Sequence, residues 1–246
     1  MKNELAGRVA LVTGSARNIG RAIALSLAQG GASVMVTAKQ AAAEAEAVAE
    51  EIRGFGGRAA SMIADVGDPA SAASLVRTTV EKLGRLDILV NNASVRREVD
   101  FADLEYDEWR EIMGITLDGA YLCSRAAMPH LIAADGGSIV NIGGLSAHTG
   151  ATRRAHVIAA KMGLVGLTRA LAHDLAKHNV TVNCVAPGLI DTTRVGAEPA
   201  HHAGKMPPLG RKGTPEEIGS LVRFLCGPDA RYITGQTIHS NGGLFM

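Results

Sequence analysis

Short apolar runs of strand length alternate along the chain with longer stretches whose apolar positions recur at helical spacing. Val9–Val12 is the first run, and residues 20–29 follow as a helix with Ile23, Leu25 and Leu27 apolar. Residues 33–37 read as a second strand, 41–53 as an Ala/Glu-rich helix ended by Gly54 and Gly56-Gly57, and 58–63 as a third strand. Residues 69–83 read as a third helix, with Asp68 as N-cap and Pro69 in the first turn. Strands over 86–90, 138–142, 180–185 and 236–240 then alternate with helices over 103–132, 152–177 and 215–226. Strands separated by helices require right-handed crossovers, which build a parallel sheet covered on both faces. The expected fold is doubly wound α/β, a Rossmann fold with a seven-stranded parallel sheet, in one domain over 1–246. The irregular segment 191–213 is the one long loop expected, and loops of that length are often functional.

Composition narrows the class. At 246 residues, with 47% hydrophobic and 20% charged residues, the chain can bury a core without disulfide or metal staples. A net charge of +1 speaks against a nucleic-acid or polybasic membrane surface. Cys123, Cys184 and Cys226 are odd in number and lack C-x-x-C spacing, so neither a disulfide framework nor a zinc site is expected. The pair His201-His202 lacks a third ligand at a recognisable spacing, and no metal is expected. No signal segment or uncharged apolar run of spanning length is present, so the expectation is a cytoplasmic protein without a membrane partner.

The first strand runs through Thr13-Gly14-Ser15-Ala16-Arg17-Asn18-Ile19-Gly20 straight into a helix. A glycine-rich turn of this kind lets backbone approach a pyrophosphate, and the helix N-terminus supplies N–H donors and a positive dipole end. Asn18 tolerates left-handed backbone better than most residues. The second strand ends Thr37-Ala38-Lys39, without the carboxylate that would bind a ribose 2′-hydroxyl. Lys39 and Arg17 offer cations there instead, which favours NADP(H) over NAD(H).

The turn resembles the TGxxxGxG segment of the short-chain dehydrogenase/reductase family, with Asn18 at the family's middle glycine. The resemblance covers nearly the whole chain. Asp65-Val66 is similar to the family's adenine-contacting pair, and Asn91-Asn92-Ala93-Ser94 to its NNAG, with Ser94 for glycine. Asn183, Pro187-Gly188, Ile190 and Thr192 match its segment beside the nicotinamide. Leu209-Gly210-Arg211, Pro215-Glu216-Glu217-Ile218 and Gly242-Gly243 match its C-terminal motifs. The resemblance implies a 3-oxoacyl-reductase-like chain that works as a homotetramer or dimer on a small-molecule substrate. Its cofactor contacts would be Gly14, Arg17, Asn18, Ile19, Gly20, Lys39, Asp65, Val66, Asn91, Ala93, Lys161, Pro187, Gly188, Ile190 and Thr192.

The proton-transfer residues depart from the family. Its members place a Tyr four residues before a Lys, a Ser thirteen residues before that Tyr, and an Asn on the preceding long helix. Here Lys161 is present, but Val157, Gly144 and Thr116 occupy the other three positions. The chain's three tyrosines, Tyr106, Tyr121 and Tyr232, fall elsewhere. A positioned general acid/base is worth about 10²–10⁴ in rate, so the substitutions matter. His148, on the loop after the fifth strand, and His156, five residues before Lys161, are the candidate replacements, with Lys161 as the third catalytic candidate. Arg96-Arg97 and Arg153-Arg154 give this end a basic bias suited to an anionic substrate. Three readings follow: an atypical NADP(H)-dependent oxidoreductase, a non-redox enzyme such as a lyase, isomerase or hydrolase, and a non-catalytic nucleotide-binding protein. Fold alone does not separate them.

Overall fold

Seven strands form one parallel sheet in the computed structural model, which describes residues 3–193, 204 and 206–246. They are β1 (Val9–Val12), β2 (Ser33–Ala38), β3 (Ala59–Ile63), β4 (Ile88–Asn91), β5 (Ser138–Ile142), β6 (Thr181–Pro187) and β7 (Thr237–Ser240). Their order is β3-β2-β1-β4-β5-β6-β7. β1 therefore sits between β2 and β4, with Leu11 paired to Met35 on one side and Leu89 on the other. At this point the winding reverses, and a crevice opens beyond the carboxyl ends of the strands. β1 reads Val-Ala-Leu-Val with all four residues buried, as a strand covered on both faces must.

One face of the sheet packs against α1 (Asn18–Gln29), α2 (Ala42–Gly54) and α8 (Pro215–Cys226), through Ile23, Leu27, Ile52, Ile218 and Val222. The other packs against α3 (Pro69–Leu83), α5 (Gly119–Ala133) and α7 (Ala155–Leu175), through Leu75, Cys123, Leu131 and Leu175. The capping chemistry holds as read. The Asp68 carboxylate accepts the Ser71 N–H at 2.7 Å, and Pro69 opens α3. Thr214 and Glu217 form a reciprocal capping box at the start of α8. Cys123, Cys184 and Cys226 are buried free thiols.

Two predicted helices are corrected. The expected single helix over 103–132 is divided into α4 (Tyr106–Met113), a π turn at Gly114–Asp118 and α5. The apolar pattern continues through the junction, so periodicity alone does not register the widened turn. The helix expected over 152–177 starts later, as α7, and a short α6 (Ser146–Thr149) precedes it. With its final turn, the segment Ala155–His178 is long and apolar enough to cross a membrane by composition. Here Leu164, Val165, Thr168 and Leu175 on it are buried within the fold.

Candidate functional site

The turn after β1 is built on close approach. Gly14 has φ +62°, and a Cβ there would lie 2.9 Å from Ala93 Cα. A Cβ on Gly20 would meet the Gly14 carbonyl oxygen at 2.3 Å, so α1 packs directly on the turn. Asn18 does adopt left-handed backbone, at φ 51°, and its Nδ2 donates to the Thr193 carbonyl at 3.1 Å. Asn92 Nδ2 donates to the carbonyls of Thr13 and Gly14, both at 2.9 Å, and Ala93 N–H donates to Thr13 Oγ1 at 3.1 Å. Arg17 makes no side-chain cap on α1, and the helix has no acidic residue in its first turn. The positive end of α1 thus faces the crevice with its first amide donors uncapped by any side chain. This donor set, held against glycines that admit no Cβ, fits the diphosphate of a dinucleotide.

Other nominated cofactor residues are already engaged. Asn91 is buried and donates to Ser124 Oγ at 3.1 Å and Asn141 Oδ1 at 2.8 Å, so its side chain braces the core between β4, β5 and α5. Lys39 Nζ lies 2.7 Å from Asp65 Oδ2. That hydrogen bond, with the Gly67 N–H on Oδ1 at 3.0 Å, holds the Asp65 carboxyl below its usual range. Val66, next to it, packs over Gly119. Arg17 is exposed at the mouth of the turn.

At the ends of β5 and β6 lies a cleft, partly open to solvent. Ile19, Pro187, Gly188, Ile190 and Thr192 line it, as nominated, and so does Lys161. Val157 and Gly144 line the same cleft. A Cβ at Gly144 would meet nothing within 4 Å, so the site has room for the side chain it lacks. Thr116 is carried by the π turn, buried, with its Oγ1 3.2 Å from Ser94 Oγ.

Lys161 is buried on α7 and its Nζ donates to the Ile142 carbonyl at 2.5 Å. Burial, with the charges of Arg96 and Arg154 behind it, pushes its pKa from 10.5 down to about 7. Both arginines line the cleft, and no carboxylate does among the described residues. Ser146 and Thr149 contribute to the lining as well.

The two histidines do not join this group. His148 turns its ring onto His239, 4.5 Å between centroids, and onto Phe245 at 5.6 Å, although Ala147 and Thr149 on either side line the cleft. His156 is fully buried, with Nε2 3.6 Å from Glu108 Oε1. A one-residue offset from Val157 turns it about 100° around α7, away from the cleft. Burial lowers the pKa of both rings. The basic bias divides likewise. Arg97 pairs with Glu111, and Arg153, at φ 61°, pairs with Asp100 at 3.4 Å. One arginine of each pair thus faces the cleft. No sequence signal distinguishes the members, because side-chain direction on loops follows local backbone. Of the loop 191–213, residues 194–203 and 205 lie outside the described residues, and the pair His201-His202 with them.

The family model described as enoyl-(acyl carrier protein) reductase matches residues 14–245. A 3-oxoacyl-[acyl-carrier-protein] reductase of Synechocystis sp. is 39% identical over 243 residues, 98% of each chain. The enzyme of that name from Pseudomonas aeruginosa is 41% identical over 246 residues, 98% of this chain and 99% of its own. Among solved structures, a dehydrogenase/reductase from Sinorhizobium meliloti superposes with a TM-score of 0.94 at 38% identity, covering 98% of this chain and 96% of that one. A short-chain dehydrogenase from Burkholderia cenocepacia in complex with NADP gives 0.91 at 36% identity, covering 98% of each.

Proposed function

The chain belongs to the short-chain dehydrogenase/reductase family, and on that premise we propose an NADP(H)-dependent oxidoreductase without the usual Tyr and Ser, acting on a small anionic carbonyl or hydroxy compound. One observation carries the reading: Lys161, Arg96 and Arg154 line a cleft in which Val157 and Gly144 stand at the positions of the family's proton-transferring Tyr and substrate-holding Ser. The relatives named as 3-oxoacyl reductases supply the carbonyl half of the substrate, and the two arginines the anionic half. The NADP complex of the Burkholderia cenocepacia relative supports the phosphorylated cofactor, in keeping with Lys39 and Arg17.

Bound at this site, the cofactor supplies a hydride. The turn residues Gly14, Asn18, Ile19 and Gly20 would receive its diphosphate, and Arg17 and Lys39 its 2′-phosphate. Asp65, Val66 and Ala93 would line the adenosine side, and Pro187, Gly188, Ile190 and Thr192 the nicotinamide side. Asn91 serves by holding β4 and β5 in register from within the core. Arg96 and Arg154 would orient the substrate's anionic group and keep its carbonyl near Lys161. The Lys161 ammonium, poised near pH 7, is the proton donor in place of the Tyr, with water relaying to the oxygen. His148 and His156 drop out of that role because neither reaches the cleft. A cytoplasmic homotetramer or dimer goes with this reading through the family resemblance.

Fluorescence titration with NADPH, and NADH as control, tests the cofactor. Tighter NADH binding would overturn the preference. NADPH oxidation assayed over a panel of small oxo acids tests the reaction. Binding without turnover of any oxo acid would favour a non-catalytic nucleotide-binding protein.

A further inference from the structure

The site described above leaves one group whose second chemistry is unused. Lys161 lines the cleft, and the hydrogen bond of its Nζ goes to a main-chain carbonyl, that of Ile142. No ion pair to a carboxylate is formed by it among the described residues. One turn away on α7 the lining is the methyl groups of Val157, and across from it the Gly144 side is open. A side-chain hydroxyl at either position would stand between the amine and a substrate carbonyl, and neither is there. Arg96 and Arg154 line the same cleft, where they disfavour a third positive charge and attract a carboxylate.

We propose that Lys161 is a nucleophile that forms an imine with an oxo acid whose carboxylate is held by Arg96 and Arg154. The inference rests on the reading of the cleft as a site for an anionic carbonyl compound. It extends that reading to non-redox chemistry in the cofactor-free protein. The Nζ lone pair attacks the carbonyl carbon and forms a C–N bond. The carbonyl π pair moves to oxygen, which takes up the first of the two amine protons by way of water and gives a carbinolamine. Loss of a second proton from nitrogen and of the hydroxyl as water leaves the C=N bond. Water adding back reverses each step, and no oxidant or reductant enters.

The groups acting on Lys161 are Arg96, Arg154 and Cys184. Burial first, and then the charges of Arg96 and Arg154, bring the lysine down to about 7, so the free amine is populated near neutral pH. Cys184, the other buried nucleophile nearby, is pushed up to about 11 by burial and stays a thiol.

Trapping with sodium cyanoborohydride in the presence of pyruvate or acetoacetate tests this, with intact mass and peptide mapping as readout. The expected result is one reduced adduct per chain, on Lys161, with a trapping rate that rises through about pH 7 rather than near 10. Acetone, which lacks the carboxylate, should label Lys161 more slowly, and Arg154→Gln should slow pyruvate trapping by about tenfold. Adducts spread evenly over surface lysines in the wild-type protein would overturn the proposal. So would an unchanged adduct yield in Lys161→Arg, and the wild-type peptide map decides even where that variant does not fold. Saturating NADPH, whose ribose the family resemblance places against this lysine, should suppress trapping. If Lys161 traps but NADPH does not bind, the cofactor reading fails alone. If NADPH binds and Lys161 does not trap, the nucleophile fails alone.

Discussion

Val157 precedes Lys161 by one turn of α7, and both side chains line the same cleft. Residues at this spacing share a helix face, so a Tyr at 157 would stand beside the Lys161 amine. Gly144 has open space in front of its missing Cβ, which lets a Ser enter without displacing a neighbour. The double variant Val157→Tyr with Gly144→Ser should therefore gain NADPH-dependent carbonyl reduction of about 10²-fold or more over the wild type. Following NADPH absorbance with a neutral ketone measures it. A folded double variant that binds NADPH yet gains nothing would sink the view that these two positions limit the ordinary reaction.

Arg153 and Arg154 are neighbours in sequence with opposite surroundings. Arg154 is buried at the cleft wall, whereas Arg153 is half-exposed and paired to Asp100. Arg154→Gln should raise the KM for an anionic substrate by about tenfold to a hundredfold, the worth of a charge-assisted hydrogen bond. Arg153→Gln should leave KM within about twofold, since an exposed ion pair contributes little. Equal effects from the two would mean that the cleft does not select for the anion through Arg154.

The seven-stranded parallel sheet was legible because buried parallel strands are largely apolar runs, as β1, β5 and β6 are, whereas the order of the strands carries no such local signal. The glycine turn after β1 was legible because Gly14 and Gly20 have no alternative residue at those contacts, and Asn18 takes the backbone its side chain tolerates. The cleft around Lys161 was legible by subtraction only. Counting from Lys161 exposes Val157 and Gly144, but not which histidine or arginine turns inward. Rotation about α7 decides His156, and the His239 and Phe245 rings decide His148. Neither partner is adjacent in sequence. The π turn under Thr116 was illegible for a similar reason, because it changes helical rise without breaking the apolar pattern.

Lys39 and Arg17, the two cations proposed for the cofactor's 2′-phosphate, are differently placed. Lys39 is held at 2.7 Å by a carboxylate, while Arg17 is exposed at the turn. A cation already partnered gives less net attraction to a 2′-phosphate than an unshared one. Arg17→Ala should weaken NADPH binding by about tenfold and NADH binding far less, with Lys39→Ala the smaller of the two changes. Parallel fluorescence titrations of both cofactors distinguish this. A larger loss of selectivity from Lys39→Ala would reverse the assignment.

Asn18 joins the glycine turn after β1 to the beginning of the long loop through its 3.1 Å bond to the Thr193 carbonyl. Its φ of 51° adds a backbone constraint to the side-chain one. Asn18→Ala loses the bond and also the short polar side chain that makes Asn more tolerant of left-handed backbone than other residues with a Cβ, at a cost of about 1–2 kcal/mol. Asn18→Gly loses the bond alone. Thermal unfolding should place Asn18→Ala below wild type by about 2–8 °C, with Asn18→Gly nearer wild type. Equal losses from the two variants would mean that the bond, and not the backbone, selects Asn here.

Burial of Lys161 has a consequence for stability that depends on pH in a fixed direction. Its pKa falls from 10.5 in an open chain to about 7 in the folded protein. Between those values the unfolded chain binds a proton that the folded chain does not, so stability rises with pH across this window. Below about 7 both states carry the proton and the full cost of burying the charge is paid. Above 10.5 neither does, and the cost is gone. Lys161→Met keeps the length of the side chain and removes the charge. It should be more stable than wild type at pH 6.5, by an amount that shrinks towards pH 9.5. Urea unfolding of both proteins across that range measures the difference. A constant gap would mean that Lys161 titrates as an open-chain lysine does, and would remove the basis for its service as a proton donor near neutral pH.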